Sequence, residues 1–521
     1  MRPLIGLIIL SLMFTSCEDW FDLRPQSETV HEDYWKDEND VKSMVGACYR
    51  EMNEPAFVER LIVWGEVRSD NVIKGMNTSG DLTYIMNLAL NASNNYTSWN
   101  EFYKVINYCN NVIYYAPGVR DIDPNFTEGQ LRAYLAEVKG IRALCYFTLV
   151  RTFRDIPFVT KPTVGDAQSF EVPQSPPDFI IDYLIKDLKD CEHSAISGYE
   201  NENYDKGRIT QKAIRALIAD MYLWKNDYTN CILYCNQILN EQTTGLVLEP
   251  SAVYNKNVFL EGNSKESIFE LQFDSRNISN YVIYEMYEKS GNNISSGSRS
   301  GYNTYQLSSY DFINKTSLFE KSDLRGKDAF LPVSSGAFFP IMKYIGLRNE
   351  NTTGTVAESD YQILITNPNW IFYRLPDIYL MKAEALVEMG DLVSMEEAFN
   401  LVSKTYDRAN PDLGAGSLEF SSYNTQLLMR NLVFDERQRE FLFEGKRYYD
   451  LLRRINREGT PANVVSTYMM KKYTNLDQAT AESRLNDMNA LYMPVNANEL
   501  KLNTLLVQNP FYVTTSDIDK N

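Results

Sequence analysis

Histidine is scarce in this chain of 521 residues, where only His31 and His193 occur. Histidine is the commonest metal ligand and the general base of Ser-His-Asp triads. His31 lies in a charged stretch near the N-terminus, and His193 lies beside Glu192 at the predicted end of a helix. The sequence therefore has almost no material for a histidine metal site or a catalytic triad, and we expect no metal, no cofactor and no catalytic residues.

Positive charge is also in short supply. The chain has 51 Lys and Arg against 69 Asp and Glu, which gives a formal net charge of −18. Binding to nucleic acid or to an anionic membrane surface depends on clustered Lys and Arg. We therefore expect no nucleic-acid partner and no adsorption of the protein body to lipid headgroups.

Cysteines occur without the spacing of a metal site or a disulfide framework. Isolated cysteines in apolar helical patterns usually behave as small buried hydrophobes. No CxxC motif is present, which argues against zinc ligation. We expect no disulfides among the six cysteines that lie in such patterns, which are Cys48, Cys109, Cys145, Cys191, Cys231 and Cys235.

Long hydrophobic runs are missing except for one at the N-terminus. Leu4 to Phe14 is apolar, but a bilayer-spanning helix needs about 20 residues. The run follows Arg2 and precedes small residues and Cys17, so residues 1–16 are predicted to be a signal peptide. The sequence Phe14-Thr15-Ser16-Cys17 resembles a bacterial lipobox, which predicts lipidation of Cys17.

The two acidic residues that follow, Glu18 and Asp19, resemble the surface-export signal of Bacteroidetes lipoproteins. The lipid would then be the only contact of the protein with the membrane. The alternative is an ordinary secretory peptide with an incidental cysteine.

Tyrosine is the abundant aromatic residue, with 35 Tyr against 6 Trp. A tyrosine presents a flat apolar face together with a hydroxyl, so it suits hydrated binding surfaces. Most of the 35 must nevertheless fill interfaces between helices.

Helical periodicity with small residues on one face dominates two parts of the chain, about 40–244 and 371–455. Ala213, Ala216 and Ala219 share one helix, and Asn226 marks a turn before the next helix. Such hairpins are typical of tetratricopeptide repeats. The segments 99–153 and 375–398 repeat the alternation. In the first, one helix is expected from Trp99 to a stop at Pro117, and a second over about 128–153. We therefore predict a mainly α-helical scaffold of about four tetratricopeptide-like helix pairs.

Residues 245–370 interrupt this pattern. A further variable segment covers 456–490, within a C-terminal segment that spans 456–521. Helical periodicity fades, Gly, Ser and Asn become frequent, and tyrosines cluster. Ser267–Phe273 alternates like a strand. A long irregular insertion in a helical scaffold is more often a binding surface than a decoration, although a solvated decoration is the alternative.

The densest local pattern is Phe434–Ile455, where apolar residues recur at three- and four-residue steps. This spacing predicts one helix, with Gly445 on its apolar stripe allowing another element to approach closely. Glu436, Glu440 and Glu444 also line up, which raises the possibility of a catalytic helix. The matched charges favour a structural ion-pair network instead.

Four internal segments and the closing stretch Pro494–Tyr512 follow one another in a characteristic order. In this order they resemble segments of the SusD/RagB outer-membrane lipoproteins of Bacteroidetes. The four segments are RALCYFTLVRTFRDIP (142–157), GRITQKAIRALIADMYL (207–223), YRLPDIYLMKAEALVEMGD (373–391) and ERQREFLFEGKRYYDLLRR (436–454).

The resemblance implies one SusD-like domain over residues 17–521, with about four tetratricopeptide units and a loop-rich variable region. It implies a lipid-anchored protein on the cell surface that binds oligosaccharides without cleaving them. The partner implied is a SusC-like TonB-dependent outer-membrane transporter, with the helical repeats facing it.

Ligand residues cannot be carried over from the family, so they are predicted from residue chemistry. Sugars bind on aromatic faces, while amide, carboxylate and cationic side chains order the hydroxyls. Two variable stretches, 70–96 and 281–305, supply such residues. The stacking candidates are Tyr84, Tyr96, Tyr284, Tyr302 and Trp370, and the hydrogen-bonding candidates are Asp70, Asn71, Lys74, Asn95, Asn292 and Arg299.

Three alternatives to glycan binding remain open at this point. Relatives within the family that take up peptides make peptide cargo one of them. A helical glycoside hydrolase would need two carboxylates at suitable separation in a cleft. A pure scaffold would bind a protein through its repeats and no small ligand.

Overall fold

A computed structural model describes residues 34–513 of the chain. The parts of this span that it leaves out are 76–77, 164–170, 241–244, 275, 288–306, 310–317, 330–340, 345, 350–360, 365–366 and 415. The predicted signal peptide and Cys17 lie outside the described residues, so the lipid anchor stays a prediction.

The chain begins with two helices that lead to the first strand. Helix α1 (Glu38–Met52) starts at a capping box formed by Asp37 and Asp40. Helix α2 (Pro55–Ile62) has Pro55 in its first turn and continues into one π-helical turn, Val63–Val67. Strand β1 (Val72–Lys74) and helix α3 (Gly80–Met86) follow.

Helices α4 (Asn100–Ile122) and α5 (Glu128–Phe153) form the first hairpin. The bounds of α5 agree with the sequence pattern. The expected end of α4 at Pro117 was wrong, because the helix continues for another turn. Ala116 and Val119 are both buried there, so packing on this turn offsets the cost of about 3 kcal/mol of an internal proline.

A small-residue face lets α5 approach its neighbour closely. A Cβ at Gly140 would lie 2.5 Å from Cγ2 of Ile209. The following elements are β2 (Ile156–Pro157), β3 (Gln174–Ser175), α6 (Pro177–Cys191) and α7 (Glu202–Gly207).

Helices α8 (Gln211–Trp224) and α9 (Tyr228–Leu239) form the second hairpin. Asn226 occupies the turn between them with φ +60°, a conformation that asparagine tolerates better than most residues. The predicted Ala213, Ala216 and Ala219 face is buried.

The predicted insertion contains short paired elements. It comprises β4 (Ser267–Leu271), α10 (Tyr281–Tyr287), β5 (Leu307–Ser309), α11 (Leu324–Ala329), β6 (Gly346–Asn349), β7 (Tyr361–Leu364) and β8 (Trp370–Arg374). The described strands form four antiparallel two-stranded sheets, β1–β5, β2–β3, β4–β8 and β6–β7. The strand predicted from Ser267 is confirmed, and all five of its residues are buried.

The third hairpin consists of α12 (Leu375–Met389) and α13 (Leu392–Ala409). Gly390 ends α12 at φ +80°, and Asp391 caps α13. Helix α12 packs on α9, although more than a hundred residues separate the two hairpins along the chain. The three hairpins and the packed pair α1–α4 confirm the predicted scaffold of about four helix pairs.

The last helices are α14 (Gln426–Glu440), α15 (Arg447–Glu458), α16 (Ala462–Thr467), α17 (Gln478–Leu485) and α18 (Ala497–Leu502). The prediction of one helix from Phe434 to Ile455 was wrong, because a turn separates α14 from α15. Phe443 and Gly445 have φ of +65° and +69° in this turn, which an α-helix cannot contain.

The close approach expected at Gly445 is confirmed, although it occurs in a turn rather than in a helix. A Cβ on Gly65, in the π-helical turn, would lie 1.8 Å from the carbonyl oxygen of Gly445. The two backbones therefore touch, and neither position has room for a side chain.

A buried ion network surrounds this turn. Arg374 bonds Glu440 at 2.5 Å and Glu444 at 2.7 Å, and the ammonium of Lys343 lies 2.6 Å from Glu444. Arg325 reaches Glu440 at 2.9 Å. Burial alone would raise the pKa of Glu444, but Arg374, Lys343 and Lys446 bring it down to about 2. These glutamates are therefore structural ion partners, as the charge pattern favoured.

The described cysteines are all buried and unpaired. Within the residues that the structure covers, no helix is long and apolar enough to cross a membrane. The same residues contain no group of three or more His, Cys, Asp or Glu side chains placed to hold a metal ion.

Candidate ligand-binding surface

The variable stretch 70–96 meets the insertion 245–370 in the structure. Strand β1 pairs with β5 in antiparallel register, with Val72 opposite Ser309 and Lys74 opposite Leu307. Helix α3 contacts β1, and helix α10 contacts both β5 and α2. We refer to the surface formed by α3, β1, β5 and α10 as the β1–β5 surface.

Helix α3 presents Tyr84 on this surface. The side chain is 52% exposed, while Leu82, Ile85 and Met86 of the same helix are buried. Burial of these three fixes the rotation of the helix, so Tyr84 faces outward. An exposed tyrosine held on a packed helix suits contact with the face of a sugar ring.

Helix α10 presents a second exposed tyrosine. Tyr281 is 48% exposed, while Val282, Ile283, Met286 and Tyr287 are buried. Tyr284, the predicted candidate, is half-buried on the same helix. Tyr281 was missed in the choice of candidates, although the helical spacing of the four buried residues would have pointed to it.

Lys74 and Asn95 are exposed on elements that adjoin helix α3. Lys74 ends β1, and Asn95 lies in a turn whose backbone contacts α3 through a hydrogen bond of 3.4 Å from the Asn95 amide to Asp81. Both side chains are available for hydrogen bonds to hydroxyl groups.

Two carboxylates that the sequence analysis did not select also belong to this region. Glu285 of α10 is exposed, and Glu59 of α2 is half-buried. Partial burial raises the pKa of Glu285, and the charge of Glu59 raises it further. The two acids are therefore close enough to influence each other. Tyr96 donates a hydrogen bond of 2.6 Å to Glu59.

Four predicted ligand residues lie in the interior, and this corrects their selection. Asp70 accepts two hydrogen bonds from Arg447, at 2.8 and 2.9 Å, and Asn71 donates to Glu66 at 2.6 Å. Tyr96 is only 4% exposed and Trp370 only 2%. Trp370 stacks on Tyr344 and lies against Gly445. The residue types alone, polar or aromatic, could not show that these side chains are buried rather than exposed on a binding surface.

The remaining predicted residues, Asn292, Arg299 and Tyr302, lie outside the described residues. Lys74, Tyr84, Asn95 and Tyr284 thus lie on or beside the elements of the β1–β5 surface, and Tyr281, Glu59 and Glu285 are added to them. These seven residues form the candidate site.

A cavity of about 60 Å³ lies deeper, between β8, the 441–446 turn and α15. Arg437, Glu444, Asp450 and Arg453 line it together with Trp370. Its volume suits a few water molecules rather than a sugar ring, so it belongs to the ion network and not to the ligand site.

Two family models match this chain. Residues 340–512 match the family described as "SusD family", and residues 19–223 match "Starch-binding associating with outer membrane". Among curated relatives, SusD-like protein P38 of Formosa agariphila is 24% identical over 86% of this chain and 90% of the relative. A SusD-like protein of Bacteroides ovatus is 21% identical over 86% of this chain and 82% of the relative.

Solved structures share the fold. A SusD superfamily protein from Bacteroides vulgatus superposes with a TM-score of 0.71 at 18% identity, covering 92% of this chain and 99% of the other. A structure named "Laminarin binding SusD-like protein" gives 0.66 at 22% identity, covering 92% and 100%. The protein belongs to the SusD/RagB family.

Proposed function

We propose that this protein captures oligosaccharides on the β1–β5 surface without cleaving them. It then delivers them to a SusC-like TonB-dependent transporter, with the protein anchored at the outer-membrane surface through lipid on Cys17. The observation that carries the proposal is the β1–β5 pairing, which joins the stretch 70–96, with the exposed Tyr84, to the insertion 245–370, with the exposed Tyr281.

The chemistry of the surface supports a sugar ligand. Tyr84 and Tyr281 offer apolar faces, while Lys74, Asn95 and Glu285 offer a donor, an amide and an acceptor for hydroxyls. The family description names starch binding, and one relative of known structure is named for laminarin binding. Both names describe other proteins and support a glycan as the class of ligand here.

Binding to a panel of oligosaccharides by calorimetry tests the proposal. We expect at least one glycan to bind, and we expect Tyr84→Ala and Tyr281→Ala each to weaken it about tenfold, which corresponds to about 1.4 kcal/mol. Tyr114→Ala is the matched control, because Tyr114 of α4 is also exposed, at 63%, and lies outside the β1–β5 surface. If Tyr84→Ala and Tyr281→Ala bind the glycan as tightly as the wild type, the binding site does not lie on the β1–β5 surface.

Peptide cargo is tested in the same experiment. We expect no heat of binding from a panel of peptides. If a peptide binds and no glycan does, the ligand of this protein is a peptide rather than an oligosaccharide. If neither class binds, the protein acts as a scaffold.

One observation favours a second candidate function. Glu59 and Glu285 lie on the packed helices α2 and α10, and partial burial and the charge of Glu59 raise the pKa of Glu285, a property that the general acid of a glycoside hydrolase also has. We expect no products when the bound oligosaccharide is incubated with the protein and analysed by chromatography. Products that disappear in Glu285→Gln would establish hydrolysis instead.

A further inference from the structure

A second concave site lies away from the β1–β5 surface. A cavity of about 290 Å³ opens between the end of α5, the β2–β3 pair and the C-terminal segment 489–510. It shares no lining residue with the candidate site. Its lining residues are Phe153, Arg154, Asp155, Gln174, Asn489, Tyr492, Val495, Val507, Gln508, Asn509 and Pro510.

Amide side chains build the wall of this cavity. Gln174 donates to the carbonyl of Asp155 at 3.0 Å and accepts from the backbone amide of Val507 at 2.8 Å. The side chain of Gln508 accepts a hydrogen bond from the backbone amide of Val495 at 2.8 Å and donates one to the carbonyl of Val495 at 2.9 Å. Gln174 therefore holds the C-terminal segment to the β2–β3 pair, and Gln508 fixes the conformation within that segment. The cavity is thus formed before any ligand arrives.

Arg154 sits at the mouth in an unusual backbone conformation. Its φ and ψ are +72° and −81°, and the amide of Asp155 donates to the carbonyl of Phe153 at 3.1 Å. This is a classic γ-turn, which is rare and strained. Strain of this kind persists where the surrounding structure imposes it, and it occurs often at ligand sites.

Three polar groups of the cavity remain unused. Arg154 pairs through Nε with Asp155 at 3.0 Å and contacts Oδ1 of Asn489 at 3.4 Å. Within the described part of the chain, Nη2 of Arg154, Oδ1 of Asp155 and Nδ2 of Asn489 have no hydrogen-bond partner. They offer two donors and one acceptor side by side.

We propose that this cavity is a subsite for one neutral pyranose ring. Adjacent hydroxyls of a sugar both donate and accept, so they match the alternating donors and acceptor. The paired charges of Arg154 and Asp155 give no advantage to either an anion or a cation. Tyr492 and Phe153 line the cavity as buried side chains that close its wall, and the volume lies just below the range for small-molecule pockets.

The subsite extends the proposed glycan binding. The loop 88–97 contacts α3 through the bond from Asn94 to the carbonyl of Asp81 at 2.9 Å. It contacts the C-terminal segment through the bond from the Ala497 amide to Ala92 at 2.8 Å. The cavity and the β1–β5 surface therefore flank one loop, and two parts of a longer glycan chain are able to use them separately.

Saturation-transfer NMR on the full mature chain tests the subsite with methyl pyranosides of glucose, galactose, mannose and xylose. We expect at least one pyranoside to bind, and Arg154→Gly to weaken it about tenfold or more, as expected for loss of hydrogen bonds to a charged group. Glycine adopts φ +72° without strain, so Arg154→Gly should fold with an unchanged or higher Tm.

Two further variants separate this site from its surroundings. Asn226→Gly makes the same kind of change at another positive-φ position and should bind like the wild type. The double variant Tyr84→Ala/Tyr281→Ala should also keep the pyranoside signal while losing oligosaccharide affinity. This pattern distinguishes failure of the subsite from failure of the β1–β5 surface.

Three results would overturn the subsite. They are the absence of a signal from any pyranoside with the wild type, a signal unchanged in Arg154→Gly, and a signal lost in the tyrosine double variant.

Discussion

Glu444 shows how a single residue holds distant parts of this protein together. Its carboxylate contacts Arg374, which precedes α12, and Lys343 of the variable region. The carboxylate and both cations are buried. Removing the negative charge would leave the buried Lys343 without its carboxylate partner and would take one of the carboxylates from Arg374, which keeps Glu440. This is far more costly than losing a surface ion pair.

We therefore predict that Glu444→Gln lowers the free energy of unfolding by about 3–5 kcal/mol. Urea unfolding measures the change. Glu396→Gln is the matched control, since Glu396 is exposed on α13 and should stay within about 0.5 kcal/mol of the wild type. An equal effect of the two variants would contradict the structural role of Glu444.

The pH dependence of stability gives a second readout of the same variant. The folded-state pKa of Glu444 is lowered from 4.5 to about 2, because Arg374 and Lys343 outweigh its burial. A lowered pKa contributes stability above the unfolded value, and this contribution is lost as pH falls from about 4.5 towards 2. Glu444→Gln should therefore lose less stability over that window than the wild type does.

The partners of these charged residues were hard to predict because most are distant in sequence. Of the local pairs that the spacing suggested, Asp450–Arg453 forms, at 2.8 Å. Lys446 instead bonds Asp377, and Arg447 bonds Asp70. A sequence shows which charges share a helix face, but it does not show which helix lies opposite.

At the scale of elements, helices with a strong apolar period were predictable. The bounds of α5 agree with the pattern, and all three hairpins were located. Errors arose where tertiary packing overrode local rules. Packing carries α4 through Pro117, and the contact between Gly65 and Gly445 requires a turn inside the predicted helix 434–455.

The β1–β5 pair was not predictable from local pattern. Each strand has only three residues, and more than two hundred residues separate them. Nothing in so short a segment specifies its partner, because pairing register depends on the surrounding packing. This pairing nevertheless positions Lys74 and places β1 beside the strand that helix α10 contacts.

We predict that Ile73→Pro in β1 reduces oligosaccharide affinity at least about tenfold and leaves most of the thermal stability. Proline removes a ladder donor opposite Ser308, while the helical hairpins do not depend on this pair. Calorimetry and thermal unfolding measure the two effects.

Leu347→Pro is the control, since it breaks the two-stranded β6–β7 sheet instead. It should leave affinity unchanged. Equal affinity of wild type and Ile73→Pro would show that the β1–β5 pairing does not shape the site.

At the scale of the molecule, a helical scaffold carries a variable surface. The hairpins α8–α9 and α12–α13 pack together across the long insertion. The turn 441–446 contacts α2, β8 and the insertion at once. The signature around Glu444 is therefore architectural, and it identifies the family without identifying the ligand.

The difference between scaffold and variable surface explains why the sequence indicates the family more clearly than the ligand residues. Scaffold residues repeat a recognisable pattern because packing constrains them, whereas ligand residues lie on short elements with few constraints. Tyr84 and Lys74 were chosen by their chemistry and are exposed. Asp70 and Trp370 have the same chemistry but are buried, and burial depends on the whole fold.

A crystal structure with the tightest-binding oligosaccharide tests the central claim most directly. We predict sugar rings against Tyr84 and Tyr281, with hydroxyls bonded to side chains such as Lys74 and Glu285. A glycan bound only on the faces of the helical hairpins, with Tyr84 and Tyr281 free of contact, would contradict the account.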